Sequence, residues 1–257
     1  MAGKKRVLLS LLEENEGLAR LLAQELAKSG LDVQTHFWDA APDAMTWGNV
    51  ARELATCHAW VIAGSDFSDR DVRASLALAA LGAQAEAGNG FPILLSPSGA
   101  VPDMASLPTP LRDAEAFKNG LGAKVAVRAN TFKPIQPAYR LKPHALGRLG
   151  LWFETGPVDD FWQGAFFASG TAGADTGVPT AHGVGPIGTI PEKCTLHYPV
   201  QGMKLTIRDV ECEGWGVKNV LNAGISYYVR VPACPDVLSF GPFPEEDEAE
   251  LYTLTLV

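Results

Sequence analysis

The sequence predicts two parts of different fold class, an α/β domain followed by an all-β domain. Over residues 1–132, apolar runs of strand length alternate with segments of helical periodicity. Beyond about residue 146 helical spacing nearly disappears, and glycine, proline and aromatic residues dominate. Residues 133–147 contain three prolines and no periodicity, which is typical of a linker. We therefore expect domains at 1–132 and 148–257.

Five strands and four helices are predicted in the first domain. The runs RVLLSLL (6–12) and AWVIAG (59–64) are typical of strands buried on both faces of a parallel sheet. Leucines at helical spacing predict a first helix from Leu18, ended by Ser29 and Gly30. The remaining elements are expected as strands at 32–38, 91–96 and 123–129 and as helices at 47–57, 69–88 and 111–122. This alternation predicts a doubly wound parallel sheet with helices on both faces.

Six strand-like segments predict a sandwich or a partly closed, barrel-like sheet in the second domain. They are expected at 149–154, 163–169, 194–200, 203–210, 224–231 and 251–257. A core between sheets accounts for most of the aromatic residues of this part. The segment DDFWQGAFF (159–167) is dense enough in rings to suggest an interface as well. The pattern of this domain indicates no particular family.

Negative charge is concentrated in the second half of the chain. Residues 1–145 carry 15 Lys+Arg and 15 Asp+Glu, whereas residues 146–257 carry 6 and 14, which accounts for the net charge of −8. Such a surface repels nucleic acid and anionic membranes, so we expect neither as a partner. We expect the acidic run PEEDEAE (244–250) to be a solvated loop.

The apolar residues and the cysteines predict a cytoplasmic protein. No run of about 18 apolar residues is present, so we expect no membrane span. The four cysteines form no C-x-x-C pair, and their wide spacing favours free thiols in a reducing compartment. They are Cys57, Cys194, Cys212 and Cys234.

A ligand site is expected at the carboxyl edge of the predicted parallel sheet, where strand order reverses. This edge corresponds to the loops 10–16, 64–69 and 96–100. The candidate ligand-binding residues in these loops are Ser10, Asn15, Ser65, Asp66, Phe67, Ser96, Ser98 and Gly99. Ser65 and Ser98 would donate hydrogen bonds to an anion, and Phe67 would stack on a ring.

Several segments of the first domain resemble the flavodoxin-like superfamily, which includes flavodoxins and FMN reductases. They are ENEGLARLLAQELAKSGLDV (14–33), CHAWVIAGSDFS (57–68), FPILLSPSG (91–99) and LGAKVAV (121–127). The resemblance covers about half of the chain and rests on the strand–helix rhythm and the loop residues. It implies a flavodoxin-like fold with FMN at the carboxyl edge and the FMN phosphate in the first loop.

The first loop departs from the flavodoxin-like pattern, which has a sequence like S/T-x-T-G-N-T. Glu13, Glu14 and Asn15 stand where that Gly-Asn-Thr would align. Two carboxylates would repel a phosphate dianion by roughly a few kcal/mol, whereas they suit an empty helix N-terminus. We therefore expect the loop to cap its own helix and no cofactor to be bound, with FMN as the second possibility. A cation or metal held by Ser10, Glu13 and Glu14 is a third interpretation.

The same segments also resemble a TIR domain. DVRASLALAAL (71–81) is similar to the W-x-x-x-E-L pattern of that family, whose glutamate is catalytic in members that cleave NAD. Ser75 stands at the glutamate position and Asp71 at the tryptophan position. If the chain is TIR-like, the resemblance implies a domain that binds partners or assembles without NAD hydrolysis.

Three further constellations of residues have simpler structural interpretations. GVGPIG (183–188) matches a dinucleotide-binding pattern, but Pro191 prevents the helix that must follow, so we expect a glycine-rich turn. His182, Cys194 and His197 include zinc-ligand types, although a strand would separate the last two. Ser169, Asp175 and His182 include the residue types of a nucleophilic triad, without a G-x-S-x-G elbow.

Together these patterns predict a cytoplasmic ligand-binding or assembly module whose flavodoxin-like domain lacks the FMN phosphate loop. One alternative is a flavin- or nucleotide-dependent oxidoreductase with a rebuilt cofactor site. Another is a non-catalytic, TIR-like interaction protein. The expected partner is a small molecule or a protein, and a homo-oligomer is possible.

Overall fold

The structure is a computed structural model that describes residues 3–40, 45–147, 150–244 and 250–257. The chain divides into two units, Met1–Gln136 and Pro137–Val257. The first unit contains helices around a parallel sheet, and the second contains two antiparallel sheets. The expected combination of an α/β part and an all-β part is therefore confirmed. Among the described helices, none is both long and apolar enough to cross a membrane.

The first unit is built on a five-stranded parallel sheet. Its strands are β1 (Arg6–Leu11), β2 (Asp32–Phe37), β3 (Ala59–Gly64), β4 (Ile93–Pro97) and β5 (Glu115–Ala116). Its helices are α1 (Glu16–Lys28), α2 (Thr46–Leu54), α3 (Arg70–Ala87) and α4 (Leu121–Thr131). The strand order is β2-β1-β3-β4-β5, the order of flavodoxin-like folds. The order reverses between β1 and β3, so a ligand site of the usual kind would lie beyond these two strands.

Helices cover both faces of this sheet. Leu22 and Leu26 of α1 pack with Leu121 and Val125 of α4 in one buried cluster against the sheet. On the other face α2 and α3 approach closely at Gly82. A Cβ at this position would lie only 2.6 Å from the Cβ of Ala51. The strands predicted at 6–12, 32–38, 59–64 and 91–96 correspond to β1–β4, and the first three predicted helices correspond to α1–α3.

The helix expected at 111–122 and the strand expected at 123–129 are wrong. The structure has β5 at Glu115–Ala116 and a helix, α4, at Leu121–Thr131. The valines of AKVAVRA alternate as in a strand, but Val125 is fully buried whereas Val127 is 59% exposed. Leu121, Val125 and Ala129 recur every four residues, and they form the buried stripe of the helix.

The described residues of the second unit form nine strands in two antiparallel sheets. The strands are β6 (Tyr139–Ala145), β7 (Leu151–Pro157), β8 (Ala165–Gly170), β9 (Ala181–Pro186), β10 (Val200–Ile207), β11 (Val210–Val217), β12 (Ile225–Val231), β13 (Val237–Pro242) and β14 (Tyr252–Thr255). One sheet has the order β10-β11-β8-β13-β14 and the other β6-β7-β12-β9. The rings of Phe153 and Phe167, one from each sheet, lie 5.6 Å apart in the core. The unit thus contains two separate antiparallel sheets that contribute rings to a common core.

Several sequence expectations for the second unit need correction. The predicted linker 133–147 contains β6, whose Pro143 is tolerated because β6 is an edge strand. The strand expected at 194–200 is absent apart from Val200, which begins β10. β11 and β13 were not predicted. Most of the acidic run 244–250, namely residues 245–249, lies outside the described residues.

The expected glycine-rich turn at 183–188 is mainly a strand. Its first four residues belong to β9, and the turn follows Pro186. A Cβ at Gly183 would lie 2.8 Å from Cγ of Pro191, which folds back over the strand. The glycines of this motif therefore make room for the following segment, and they do not form a phosphate loop.

Candidate functional site

The side chain of Glu13 lies at the carboxyl edge of the sheet and connects the loops that follow β1 and β3. Its Oε1 accepts a hydrogen bond from the backbone N–H of Ser65 at 2.6 Å and another from the Ser65 hydroxyl. The two loops are brought together because Leu12 N–H donates to the Ala63 carbonyl at 2.8 Å. Gly64 permits this approach, since a Cβ there would lie 2.7 Å from that of Leu12. A carboxylate of the chain itself thus takes the donors that an anionic ligand would need.

The start of α1 is capped by Asn15. Its side-chain oxygen accepts from the Leu18 N–H at 2.9 Å, and Glu16 places a carboxylate in the first turn. Glu13 binds the neighbouring loop, so Asn15 supplies the side-chain cap that was expected from the acidic loop as a whole. Asn15, predicted as a ligand-binding residue, is engaged within its own helix.

The start of α3 is satisfied in the same way by aspartates. Asp69 accepts from the N–H groups of Asp71 and Val72, both at 2.9 Å. Asp66 accepts from the N–H and hydroxyl of Ser68 at 2.8 and 2.7 Å, and these hydrogen bonds lower the pKa of its carboxyl. Asp66 is therefore occupied in a local turn.

Phe67 lies largely inside the fold. Its side chain is buried, with 7% of its surface exposed, and its stacking on a ligand ring stays a prediction. Aromatic side chains in apolar surroundings supply packing, which is the role that the burial of Phe67 indicates.

The serines of the predicted site have different surroundings. Ser10 is fully buried within β1, where its hydroxyl accepts a hydrogen bond from Trp60 Nε1 at 2.8 Å. Ser96 is half-buried in β4, whereas Ser98 and Gly99 are exposed beyond it. The Ser98 N–H donates to the Gly64 carbonyl at 2.9 Å, which brings the third loop beside the second. The structure thus assembles the three predicted loops but removes Ser10 from the site.

The alternative cation site at the first loop is not assembled. Ser10 faces Trp60 and Glu13 binds Ser65, so these two side chains serve different neighbours. Within the described ranges, no group of three or more His, Cys, Asp or Glu side chains is arranged to hold a metal ion.

Ser75, at the catalytic position of the TIR-like pattern, is a structural residue of α3. Its hydroxyl is close to the carbonyl of Asp71 at 2.7 Å and accepts from Trp38 Nε1 at 3.0 Å. The side chain is buried, and the Trp38 ring lies 5.8 Å from that of Trp60. Ser75 and Ser10 therefore each satisfy the indole N–H of a buried tryptophan.

The triad and zinc constellations of the second unit are not assembled either. Ser169 is buried and donates to the Gly177 carbonyl at 2.7 Å. His182 hydrogen-bonds through its two ring nitrogens to the Tyr227 hydroxyl at 2.7 Å and to Gln201 at 3.0 Å. His182 of β9 thus links Tyr227 of its own sheet to Gln201 of the other sheet, and burial lowers its pKa.

A buried polar network around Glu154 of β7 was missed by sequence reasoning. Glu154 is 1% exposed and accepts hydrogen bonds from His144 at 2.8 Å, the Ser226 hydroxyl at 2.7 Å and the Gly188 N–H at 3.0 Å. Burial alone would raise the pKa of Glu154, but these hydrogen bonds outweigh it and lower the pKa to about 2. The nearby Arg140 Nε lies 3.8 Å from the carboxylate.

The order of groups in this network does not suit nucleophilic catalysis. The carboxylate lies between Ser226 and His144, whereas an activated serine requires the histidine in the middle. The Tyr228 hydroxyl donates to the Pro186 carbonyl and accepts from the Thr189 N–H at 3.0 Å. The network therefore fixes the segment that follows β9.

A cavity of about 230 Å³ lies at the opposite, amino edge of the parallel sheet. Its walls include the starts of β4 and β5, the rings of Phe91 and Phe132, and the ion pair of Arg128 with Glu115. Roughly 300–1,000 Å³ is typical of small-molecule sites, so this cavity is small for a nucleotide. None of the predicted site residues lines it.

The fold and the candidate site describe a protein of two units. The first is an α/β unit with the strand order of flavodoxin-like folds, in which Glu13 of the first loop accepts a hydrogen bond from Ser65. The second is a β unit of two antiparallel sheets. No model of a known protein family matches the chain, and no curated protein matches it.

Proposed function

We propose that the chain is a ligand-binding or assembly module whose first unit has lost the cofactor site of flavodoxin-like proteins. The observation that supports this function is the pair of hydrogen bonds from Ser65 to Glu13. In a phosphate-binding loop, backbone N–H and hydroxyl donors of this kind point at the ligand. Here an internal carboxylate takes that place, as a built-in substitute for the anion.

The surroundings of Glu13 oppose the entry of a phosphate. The N-termini of α1 and α3 are already capped by Asn15 and Asp69. A phosphate would have to displace the Glu13 carboxylate and then face the charges of Glu14 and Asp66, at a cost of roughly a few kcal/mol. Binding of FMN through its phosphate is therefore disfavoured at this edge.

The flavin-enzyme alternative requires a different site for the cofactor. The cavity at the amino edge is small and lies away from the strand-order reversal at which such cofactors bind. For the TIR-like alternative, Ser75 offers a buried hydroxyl in place of the catalytic carboxylate. The small size of the cavity and the burial of Ser75 both favour a binding or assembly function over catalysis.

Exchange of Glu13 for glycine and Glu14 for asparagine tests this origin of the loop. The double variant restores a Gly-Asn pair ahead of Asn15 and frees the donors of Ser65, so we expect FMN to bind at least about tenfold more tightly than to the wild type. FMN fluorescence quenching measures the affinity. The matched control is Glu16→Gln, which removes a neighbouring acid that makes no contact with Ser65. An unchanged FMN affinity in the double variant contradicts the proposed loss of a phosphate loop.

A further inference from the structure

The amino-edge cavity is lined by residues between Gln84 and Ile135, so it lies wholly within the first unit. Solvent reaches it, because the wall side chains of Arg128 and Glu115 are 51% and 39% exposed. Its volume of about 230 Å³ exceeds the roughly 150 Å³ of an apolar cavity that holds benzene, and it is below the roughly 300–1,000 Å³ of drug-sized sites. The cavity therefore has room for a molecule somewhat larger than benzene.

The inner part of the cavity is apolar. Phe91 and Ile93 at the start of β4 are only 3% and 5% exposed, and Pro110 is also buried. The ring of Phe132 stands edge-on to that of Phe91, with the centroids 6.1 Å apart and an angle of 88° between the planes. Such a surface suits an aromatic or branched aliphatic group.

The wall that carries Phe132 is held in place by the backbone. Asn89 and Ile135 exchange two backbone hydrogen bonds at 3.0 and 3.1 Å, which fasten the segment after α4 to the loop before β4. Gly88 permits the approach, since a Cβ there would lie 2.6 Å from Cβ of Pro134. The apolar part of the cavity is thus formed before any ligand binds.

Charges of both signs surround the mouth of the cavity. The acids, Asp113 and Glu115, precede α4, and the cations, Arg128 and Lys133, come from the end of α4 and the segment after it. Arg128 pairs with Glu115, which joins the two segments. Asp113 and Lys133 are exposed, and neither forms an ion pair within the described ranges. A molecule of one charge sign would meet attraction and repulsion together here, whereas a zwitterion can pair with both kinds of group.

Gln84 adds a neutral acceptor to the cavity wall. Its Nε2 donates to the Pro110 carbonyl at 3.0 Å, and this hydrogen bond fixes the orientation of the side-chain amide. The amide oxygen is therefore an acceptor for N–H groups. Acceptors thus come from α3 and the segment before α4, and cationic donors come from the end of α4 and the residues after it.

We propose that the amino-edge cavity binds a small zwitterion with an apolar body, an α-amino acid with an aromatic or branched aliphatic side chain. The side chain packs against Phe91 and Phe132, the ammonium group pairs with Asp113, and the carboxylate pairs with Lys133. This site lies at the edge opposite the first loop and does not depend on it. It goes beyond the proposed function by giving the first unit a ligand class.

Isothermal titration calorimetry of the full chain with L-phenylalanine tests the proposal. Three comparison compounds each lack one part of the ligand: phenethylamine has no carboxylate, hydrocinnamate has no ammonium group, and glycine has no side chain. All titrations are made at the same neutral pH and ionic strength. We expect phenylalanine to bind saturably at one site, at least about tenfold more tightly than each of the three compounds.

Asp113→Asn and Lys133→Met separate the two charged ends of the ligand. We expect Asp113→Asn to weaken phenylalanine binding about three- to tenfold and to leave hydrocinnamate binding unchanged, because hydrocinnamate has no ammonium group. Lys133→Met should weaken phenylalanine binding by a similar factor and leave phenethylamine binding unchanged. The controls are Asp32→Asn and Lys118→Met, the same exchanges at exposed positions of the first unit that do not line the cavity.

Three results would overturn the proposed zwitterion site. They are the absence of saturable phenylalanine binding, binding of glycine or a singly charged analogue as tight as that of phenylalanine, and wild-type affinity for phenylalanine in both Asp113→Asn and Lys133→Met. None of them involves the first loop. The FMN titration of the variant at Glu13 and Glu14 therefore tests the loss of the phosphate loop independently.

Discussion

Replacing Glu154 with alanine is expected to lower the free energy of unfolding of the second unit by about 3–5 kcal/mol. The substitution removes the one acceptor shared by His144, Ser226 and the Gly188 N–H, and it leaves the adjacent Arg140 without its carboxylate. Buried donors and a buried charge without partners are far more costly than the loss of a surface contact. We therefore expect this to be among the most destabilising single substitutions in the unit.

Chemical denaturation followed by circular dichroism measures this loss. Glu154→Gln keeps the shape and an acceptor oxygen, so we expect a smaller loss than for alanine. Glu192→Ala, at an exposed position of the same unit, serves as the control and should change stability by no more than about 0.5 kcal/mol. Equal stabilities of Glu154→Ala and Glu192→Ala would show that the network does not stabilise the fold.

The lowered pKa of Glu154 also predicts how stability changes with pH. Because the folded-state pKa is about 2 and the ordinary value is 4.5, the ionised carboxylate stabilises the fold fully above about pH 4.5. This contribution, about 3 kcal/mol, is lost as the pH falls from 4.5 toward 2. We expect the wild type to lose this part of its stability in acid and Glu154→Gln to lack it, so parallel pH profiles would contradict the role of the carboxylate.

Replacing Trp60 with alanine is expected to destabilise the first unit by about 3–5 kcal/mol. Trp60 is fully buried at the centre of the parallel sheet, where it contacts Trp38 and donates to Ser10. Alanine leaves a large cavity in a layer that helices cover, and the surrounding side chains only partly fill such a space.

The companion substitution Ser10→Ala isolates the hydrogen bond. It leaves the indole N–H of Trp60 buried without an acceptor, for an expected loss of about 1–3 kcal/mol. Ser98→Ala, at an exposed position beyond β4, is the control and should be nearly neutral. Thermal unfolding compares the three variants. A neutral Ser10→Ala would show that Ser10 has no structural role and would restore it as a candidate site residue.

The first four strands and first three helices could be predicted because burial on both sheet faces leaves long apolar runs. The segment 111–131 misled because AKVAVRA satisfies strand alternation and helical spacing at once, and only the burial of Val125 against α1 decides between them. In the second unit, β6 and β9 contain proline or alternating glycines, which imitate a linker and a turn. Their strand character depends on partners distant in sequence.

The location of the candidate site could be predicted from the sequence, but the contacts of its side chains could not. Topology correctly indicated that the loops after β1, β3 and β4 meet at one edge. The sequence could not show that Glu13 reaches Ser65, because the contact joins residues 52 positions apart. Nor could it show that Ser10 and Phe67 turn into the interior, since residue type alone does not define side-chain direction at the end of a strand.

The absorption spectrum of the freshly purified, unheated protein tests most directly the claim that the first unit has lost its cofactor site. It is combined with mass spectrometry of whatever denaturation releases. Because Glu13 takes the donors of Ser65, we expect a colourless protein that releases neither flavin nor nucleotide. A flavin absorption band, or FMN in the supernatant after denaturation, would contradict the loss of the cofactor site and indicate a redox enzyme.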